Sequence, residues 1–256
     1  MTAETLETKG RRTREAILAR GVDLACRVGL GGLTIGTLAA DVGMSKSGMY
    51  AHFGSKEALQ LAVLDAAAQD FTAAVVAPAL AQPRGEARIR ALVDRWLACG
   101  IARQPGGCLF VKASTEVDEQ EGPVRDALRA HHAGLYRTLA RIVTDGVAEG
   151  RLRSDADPDQ FASDVYGVML AFYHAHRLLG DPAAEARARA AVEALIDAAR
   201  VPVAPPATAP PATTAPAATP AAAILTGRSD RPTHEHPAPR SVARPTAPTH
   251  ETQETP

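Results

Sequence analysis

Between Leu33 and Leu59 the chain reads LTIGTLAADVGMSKSGMYAHFGSKEAL, and its caps and stops restrict what it can fold into. Thr34 can cap a short helix with Ile35, Leu38, Ala39 and Val42 on one face, which Gly43 then ends. After the turn, Ser45 can cap a second short helix from Lys46 to about His52, and Ser55 can cap the next one. Two helices joined by the tight turn VGMS form a helix-turn-helix. A major groove about 12 Å wide admits a single α-helix, so the helix after the turn is the candidate reader.

The flanking sequence is helical as well. Residues 13–28 place Ile17, Leu18, Val22, Leu24, Ala25 and Val28 at helical spacing before Gly29. Ser55 opens a long helix of about 22 residues that ends at Pro78. Residues 86–103 carry Ile89, Leu92, Val93, Trp96 and Leu97 as an apolar stripe, and residues 122–150 open with a first-turn proline and close on Gly150. The segments from Asp157 and from Asp181 each begin with Asp-Pro, a cap followed by a preset first turn. No strand pattern is present, so the class is all-α.

Composition sets the limits of the folded part. All ten aromatic residues lie between Tyr50 and Tyr173, and 13 of the 19 prolines follow Arg200. Alternating proline and alanine cannot bury enough apolar surface to offset the entropy of ordering, which predicts a disordered tail over 201–256. The remainder divides into a flexible arm (1–11), a helix-turn-helix domain (12–58) and a helical ligand-binding and dimerisation domain (59–200). Cys26, Cys99 and Cys108 show neither metal spacing nor a disulfide framework and read as thiols in a reducing cytoplasm. There is no signal peptide pattern, and no apolar stretch spans a bilayer without an interrupting charge, so no membrane partner is expected. A net charge of −1 argues against a protein that coats nucleic acid, although a total can hide a local patch.

The reading helix has a plausible chemistry. Ser45, Lys46 and Ser47 sit at its N-terminal end, which points into the groove and whose free N–H groups attract phosphate. Gly48 costs roughly 1 kcal/mol of helix stability relative to alanine but lets the backbone approach DNA closely. Tyr50 and His52 can hydrogen-bond phosphate oxygens, and Lys56 can pair with another phosphate. Met49 and Phe53 face inward by spacing.

The run LTIGTLAADVGMSKSGMYAHFGSKEALQLAVL, and within it Tyr-x-His-Phe-x-x-Lys-Glu, closely resembles the DNA-binding region of the tetracycline-repressor (TetR) family. The resemblance covers about residues 12–64, and the helical remainder resembles one variant of that family's divergent ligand-binding part. It implies phosphate contacts from Thr34, Tyr50, His52 and Lys56 and base contacts from Lys46 and Ser47. Gly36 departs from the pattern, standing where many relatives carry a side chain able to reach a base. The family also implies a homodimer on double-stranded operator DNA, released by a small-molecule effector.

Two reading heads must lie about 34 Å apart to meet successive half-sites. The last two helices can supply the pairing: Phe161, Val165, Val168 and Phe172 form one stripe, and Val192, Leu195, Ile196 and Ala199 another. Large or polar-tipped inward residues, Trp96, Cys99, Phe110, Tyr136, Tyr166, Met169 and Tyr173, are candidates to line an effector pocket. Enzymatic signatures are missing: there is no phosphate-binding glycine loop and no nucleophile elbow. His131-His132 and His174-x-His176 lack metal-ligand spacing, so neither a metal nor a cofactor is expected. The rival reading is a helical ligand-binding or adaptor protein that does not bind DNA specifically.

Overall fold

The computed structural model describes residues 3–103 and 106–202. They form α1 (Ala3–Gly32), α2 (Ile35–Val42), α3 (Lys46–Phe53), α4 (Lys56–Phe71), α5 (Glu86–Ala102), α6 (Leu109–Glu116), α7 (Pro123–Ala148), α8 (Pro158–Tyr173) and α9 (Ala184–Ala199). Among these residues the only extended pairing is a single bridge between Leu152 and Arg200, so the fold is all-α as the sequence predicts. Of the predicted tail, only Val201 and Pro202 fall within the described residues.

Several boundaries differ from those read in the sequence, each for a local reason. Helix α1 begins at Ala3, so the stretch expected as a flexible arm is largely helical. Ala3, Glu4, Leu6, Glu7, Lys9 and Arg11 favour a helix there, with Gly10 the weakest point. The helix bends at Gly29, whose φ of 82° is a conformation that side chains rarely adopt. Helix α9 starts at Ala184, because Asp181 first closes a separate turn by accepting from the Ala183 N–H at 2.9 Å. Helix α6 was not read from sequence at all: it follows the glycine pair Gly106-Gly107, and Cys108 at its N-cap makes no side-chain cap.

Pro78 does not end the fourth helix. Helix α4 runs on through a π-helical turn, Thr72–Val76, into a last turn, Ala77–Leu80. Proline lacks the N–H that would have reached the Ala74 carbonyl. That carbonyl instead faces the Arg95 guanidinium at 3.5 Å. The continuous run Lys56–Leu80 is long and apolar enough to cross a membrane by length and mean hydropathy alone. Asp65 and Asp70 interrupt it, and Leu59, Val63, Leu64, Ala67 and Val75 are buried against the rest of the protein.

Two cores organise the helices. One gathers Ile17, Val22, Leu30, Leu33, Leu38, Met49 and Phe53 from α1 to α3, and Leu59, Val63, Leu64 and Ala67 from α4. It also takes in Leu109, Ala113 and Val117 at α6 and Leu128 of α7. The reading head is therefore completed by residues more than forty positions beyond residue 58, where its domain was expected to end. The other core centres on Trp96 and Leu97 of α5, with Leu139 and Ile142 of α7, Phe161, Val165, Met169 and Phe172 of α8, and Val192 and Ile196 of α9.

Candidate nucleic-acid interface and ligand cavity

Each short helix of the head is capped as its sequence requires. Thr34 and Thr37 form a reciprocal box: Thr34 Oγ accepts from the Thr37 N–H at 3.0 Å, and Thr37 Oγ accepts from the Thr34 N–H at 2.8 Å. Gly43 ends α2 in the left-handed region with φ 68°. Ser45 Oγ accepts from the Gly48 N–H at 3.1 Å, and Ser55 Oγ from the Ala58 N–H at 3.0 Å.

These caps fix which side of α3 faces out. Met49 is fully buried and Phe53 is 7% exposed, whereas Tyr50, between them, is 60% exposed. Ser45, Lys46 and Ser47 are exposed with it. The exposed side of a short, capped helix thus offers two hydroxyls, a phenol and an ammonium, the groups that bond phosphates and base edges.

Four of the site residues read from sequence have additional tasks. A Cβ on Gly48 would lie 3.1 Å from Ser45 Oγ, so glycine here also leaves room for the cap itself. Thr34 is half-buried, its hydroxyl engaged with Thr37. His52 is half-buried, and its carbonyl accepts from Arg14 Nη1 at 2.7 Å. Lys56 is exposed, with its ammonium donating to the Gly31 carbonyl at 3.0 Å. Where Gly36 departs from the family pattern, the stem of Lys46 comes close: a Cβ on Gly36 would be 3.3 Å from Lys46 Cε.

The structure adds residues that sequence reasoning missed. The Arg14 guanidinium lies 4.5 Å from the centre of the Phe53 ring, tying α1 to the end of α3. Asp41 on α2 accepts from Arg20 Nη2 at 2.9 Å and from Arg27 Nη2 at 2.8 Å, both on α1. The hydrogen bond from Arg27, reinforced by Arg20, holds the Asp41 carboxyl below the usual carboxylate range. Buried Gln60 donates to the Leu30 carbonyl at 2.5 Å. From α6, Lys112 donates to the Cys26 and Arg27 carbonyls at 2.7 and 3.0 Å, and Glu116 accepts from the Gly31 N–H at 3.1 Å. None of these pairs follows a local spacing rule, so only the fold reveals them.

Elements from α4 to α8 line a partly open cavity of about 310 Å³. Of the seven pocket candidates, Trp96, Phe110 and Tyr166 line it, together with Phe71, His131 and His132, which were not anticipated. Cys99 and Tyr173 line a neighbouring cavity with Phe110, and Tyr136 lines a third with Tyr166. Met169 is fully buried and belongs to the core. Tyr166 Oη and His132 Nδ1 are 2.8 Å apart. Burial lowers the His132 pKa and raises that of Tyr166, so both are neutral. Burial also pushes the Cys108 thiol up to about 11.

The stripes predicted for dimerisation are mostly interior. Phe161, Val165 and Phe172 on α8 and Val192, Ile196 and Ala199 on α9 are all buried within the monomer. Val168 and Leu195 are half-buried and pack on the same core. Two packed helices turn their most apolar stripes toward their own core first. The surface left outside carries Gly167, Leu170 and Ala171 on α8 and Ala190 and Ala194 on α9, all exposed.

A capped helix-turn-helix head on a helical body defines a DNA-binding regulator. Two family descriptions match the chain: "Bacterial regulatory proteins, tetR family" over residues 17–63, and "Tetracyclin repressor-like, C-terminal domain" over residues 85–192. The HTH-type transcriptional repressor ComR of Escherichia coli K12 is 26% identical over 153 residues, spanning 58% of this chain and 72% of the relative. The HTH-type transcriptional repressor NemR of the same strain is 28% identical over 161 residues, spanning 62% and 80%. A TetR transcriptional regulator from Chloroflexus aurantiacus is similar in structure, with a TM-score of 0.66 at 28% identity, covering 74% of this chain and 95% of that one. The chain belongs to the tetR family of bacterial regulatory proteins.

Proposed function

We propose that this protein is a ligand-responsive transcriptional repressor, a cytoplasmic homodimer that binds a palindromic operator and leaves it when a small molecule occupies the body. The observation that carries this reading is the polarity of α3: Tyr50 is 60% exposed beside Ser47, while Met49 beneath is sealed. Surface helices commonly carry a polar outer face, but an exposed phenol grouped with two hydroxyls and an ammonium suits phosphate and base edges. The two Escherichia coli relatives, both named as HTH-type transcriptional repressors, support the direction of control.

In this reading Ser45, Lys46 and Ser47 meet base edges, and Tyr50, His52, Thr34 and Lys56 position the head on phosphates. Lys56 can do so while still holding the Gly31 carbonyl, because its ammonium has two further donors. The second copy docks on the outer sides of α8 and α9, where Gly167, Ala171, Ala190 and Ala194 allow close helix approach.

The effector acts through two routes. Phe71 and Thr72 at the far end of α4 line the cavity, and the opening turn of the same helix carries Lys56. Phe110 and Val111 of α6 also line it, one residue before Lys112, which holds the end of α1. A ligand that displaces either helix tilts the head and changes the spacing of the pair. A coupling of about 1–3 kcal/mol changes operator affinity roughly 5- to 150-fold.

Selection of binding sites from random duplexes tests the proposal. A twofold-symmetric consensus whose affinity falls steeply with salt is expected. Weak binding to every duplex alike would favour a ligand-binding or adaptor protein instead.

A further inference from the structure

Among the described residues, the wall of the 310 Å³ cavity contains four aromatic rings, Phe71, Trp96, Phe110 and Tyr166, and no Asp, Glu, Lys or Arg. Three of the polar tips that face it are occupied by the protein itself. Tyr166 Oη is bonded to His132 Nδ1, Thr138 Oγ donates to the Gly134 carbonyl at 2.9 Å, and His131 Nε2 lies 3.1 Å from Asp65 at the rim. Among the described residues Trp96 Nε1 and His132 Nε2 have no hydrogen-bond partner, and both atoms are fully buried rather than exposed on the wall. Apart from His131, which is already paired with Asp65, such a wall offers a charged guest no counter-ion, while desolvating that charge is costly. It offers an apolar guest dispersion contacts and ring stacking.

We infer that the effector is an uncharged, largely apolar molecule of about two fused rings, held by shape and stacking rather than by an ion pair. The cavity sits at the lower end of the roughly 300–1,000 Å³ range of small-molecule sites, which favours a compact guest over a long chain or a nucleotide conjugate. Its edge is π-helical: Thr72 and Val76, the two ends of the turn Thr72–Val76, both lie on the wall. The inference rests on the reading that the cavity receives the effector.

Three probes of one shape and different charge decide it: 2-ethylnaphthalene, 2-naphthoate and 2-naphthylmethylammonium. Trp96 is the sole tryptophan of the chain and its ring lines this cavity, so its fluorescence reports occupancy. The full chain, without DNA, is titrated with each probe. The neutral probe is expected to shift the Trp96 signal and to bind at least roughly tenfold more tightly than either ion. Equal or tighter binding of naphthoate would overturn the inference. So would equal binding of the ammonium, which would make the four rings a cation cage. Binding of the neutral probe that leaves the Trp96 signal in place would also overturn it, since the guest would lie elsewhere. Because DNA is absent, failure of operator recognition leaves this test unaffected.

Discussion

The Lys112 ammonium on α6 lies 2.7 Å from the carbonyl oxygen of Cys26 on α1, joining the wall of the cavity to the last turns of the helix that supports the reading head. The neighbouring Arg27 carbonyl takes a second bond at 3.0 Å. Both carbonyls lie just before the kink at Gly29, where the helix is interrupted, and a cation is the natural complement of carbonyls at such a break. Replacement by methionine keeps the stem and removes the donor. Lys112→Met is expected to cost about 1–3 kcal/mol of stability, leave ligand affinity in the DNA-free protein nearly unchanged, and reduce the ligand's effect on operator affinity below about fivefold. Operator titrations with and without ligand check this. An undiminished ratio would assign the coupling to α4 alone.

Arg14 serves the head more directly. It donates to the His52 carbonyl at 2.7 Å and lies over the Phe53 ring, so one side chain fixes the C-terminal end of α3. Arg14→Ala removes a charged hydrogen bond and a cation–π contact, and about 1–2 kcal/mol of stability should be lost. Operator affinity should fall further than that loss alone explains, because the end of the reading helix is untethered. Denaturant melts beside binding titrations separate the two effects, and a loss of stability with unchanged affinity would confine Arg14 to folding.

Tyr50 and Lys46 differ in what they read. Tyr50→Phe removes one phenolic hydroxyl from an exposed ring and is expected to weaken binding to all duplexes by a similar factor. Lys46→Ala removes an exposed cation at the entrance of α3, so it should both lower the salt dependence and change base preference. Site selection repeated with each variant checks the contrast; identical consensus sequences would contradict the division of roles.

Local chemistry explains which of these features could be read from sequence. Thr34, Ser45 and Ser55 announce their helices because a cap acts within three residues, and Gly43 stops α2 for an equally local reason. Met49 and Phe53 are inward by periodicity alone. Contacts from distant elements carry no such signature: Lys112, Glu116 and Arg14 find partners through the fold, and α6 lacks a polar cap to reveal it. The stripes on α8 and α9 were recognised as apolar, but periodicity cannot tell an interior face from an interface. Phe161, Val165 and Ile196 proved to be core. Pro78 misled in the opposite direction, since a π turn and Arg95 accommodate the carbonyl it leaves unpaired.

Asp41 makes the stability of the head depend on acidity. Its carboxylate is bonded to Arg27 and Arg20, which lower its pKa in the folded protein from the ordinary value of 3.8. A group whose folded pKa is depressed contributes stability above its unfolded pKa, and that contribution is lost as pH falls through the folded value. Asparagine cannot carry the charge, so Asp41→Asn should be less stable than the parent at pH 7 by about 1 kcal/mol, the scale of two partly exposed pairs. The difference should hold down to about pH 4, shrink as the acid is protonated, and vanish below the lowered pKa. Urea melts of both proteins at neutral pH and through the acid range measure it. A difference that persists undiminished in strong acid would show that Asp41 acts through packing or neutral hydrogen bonds, because protonation removes the charge from the parent while leaving its shape intact.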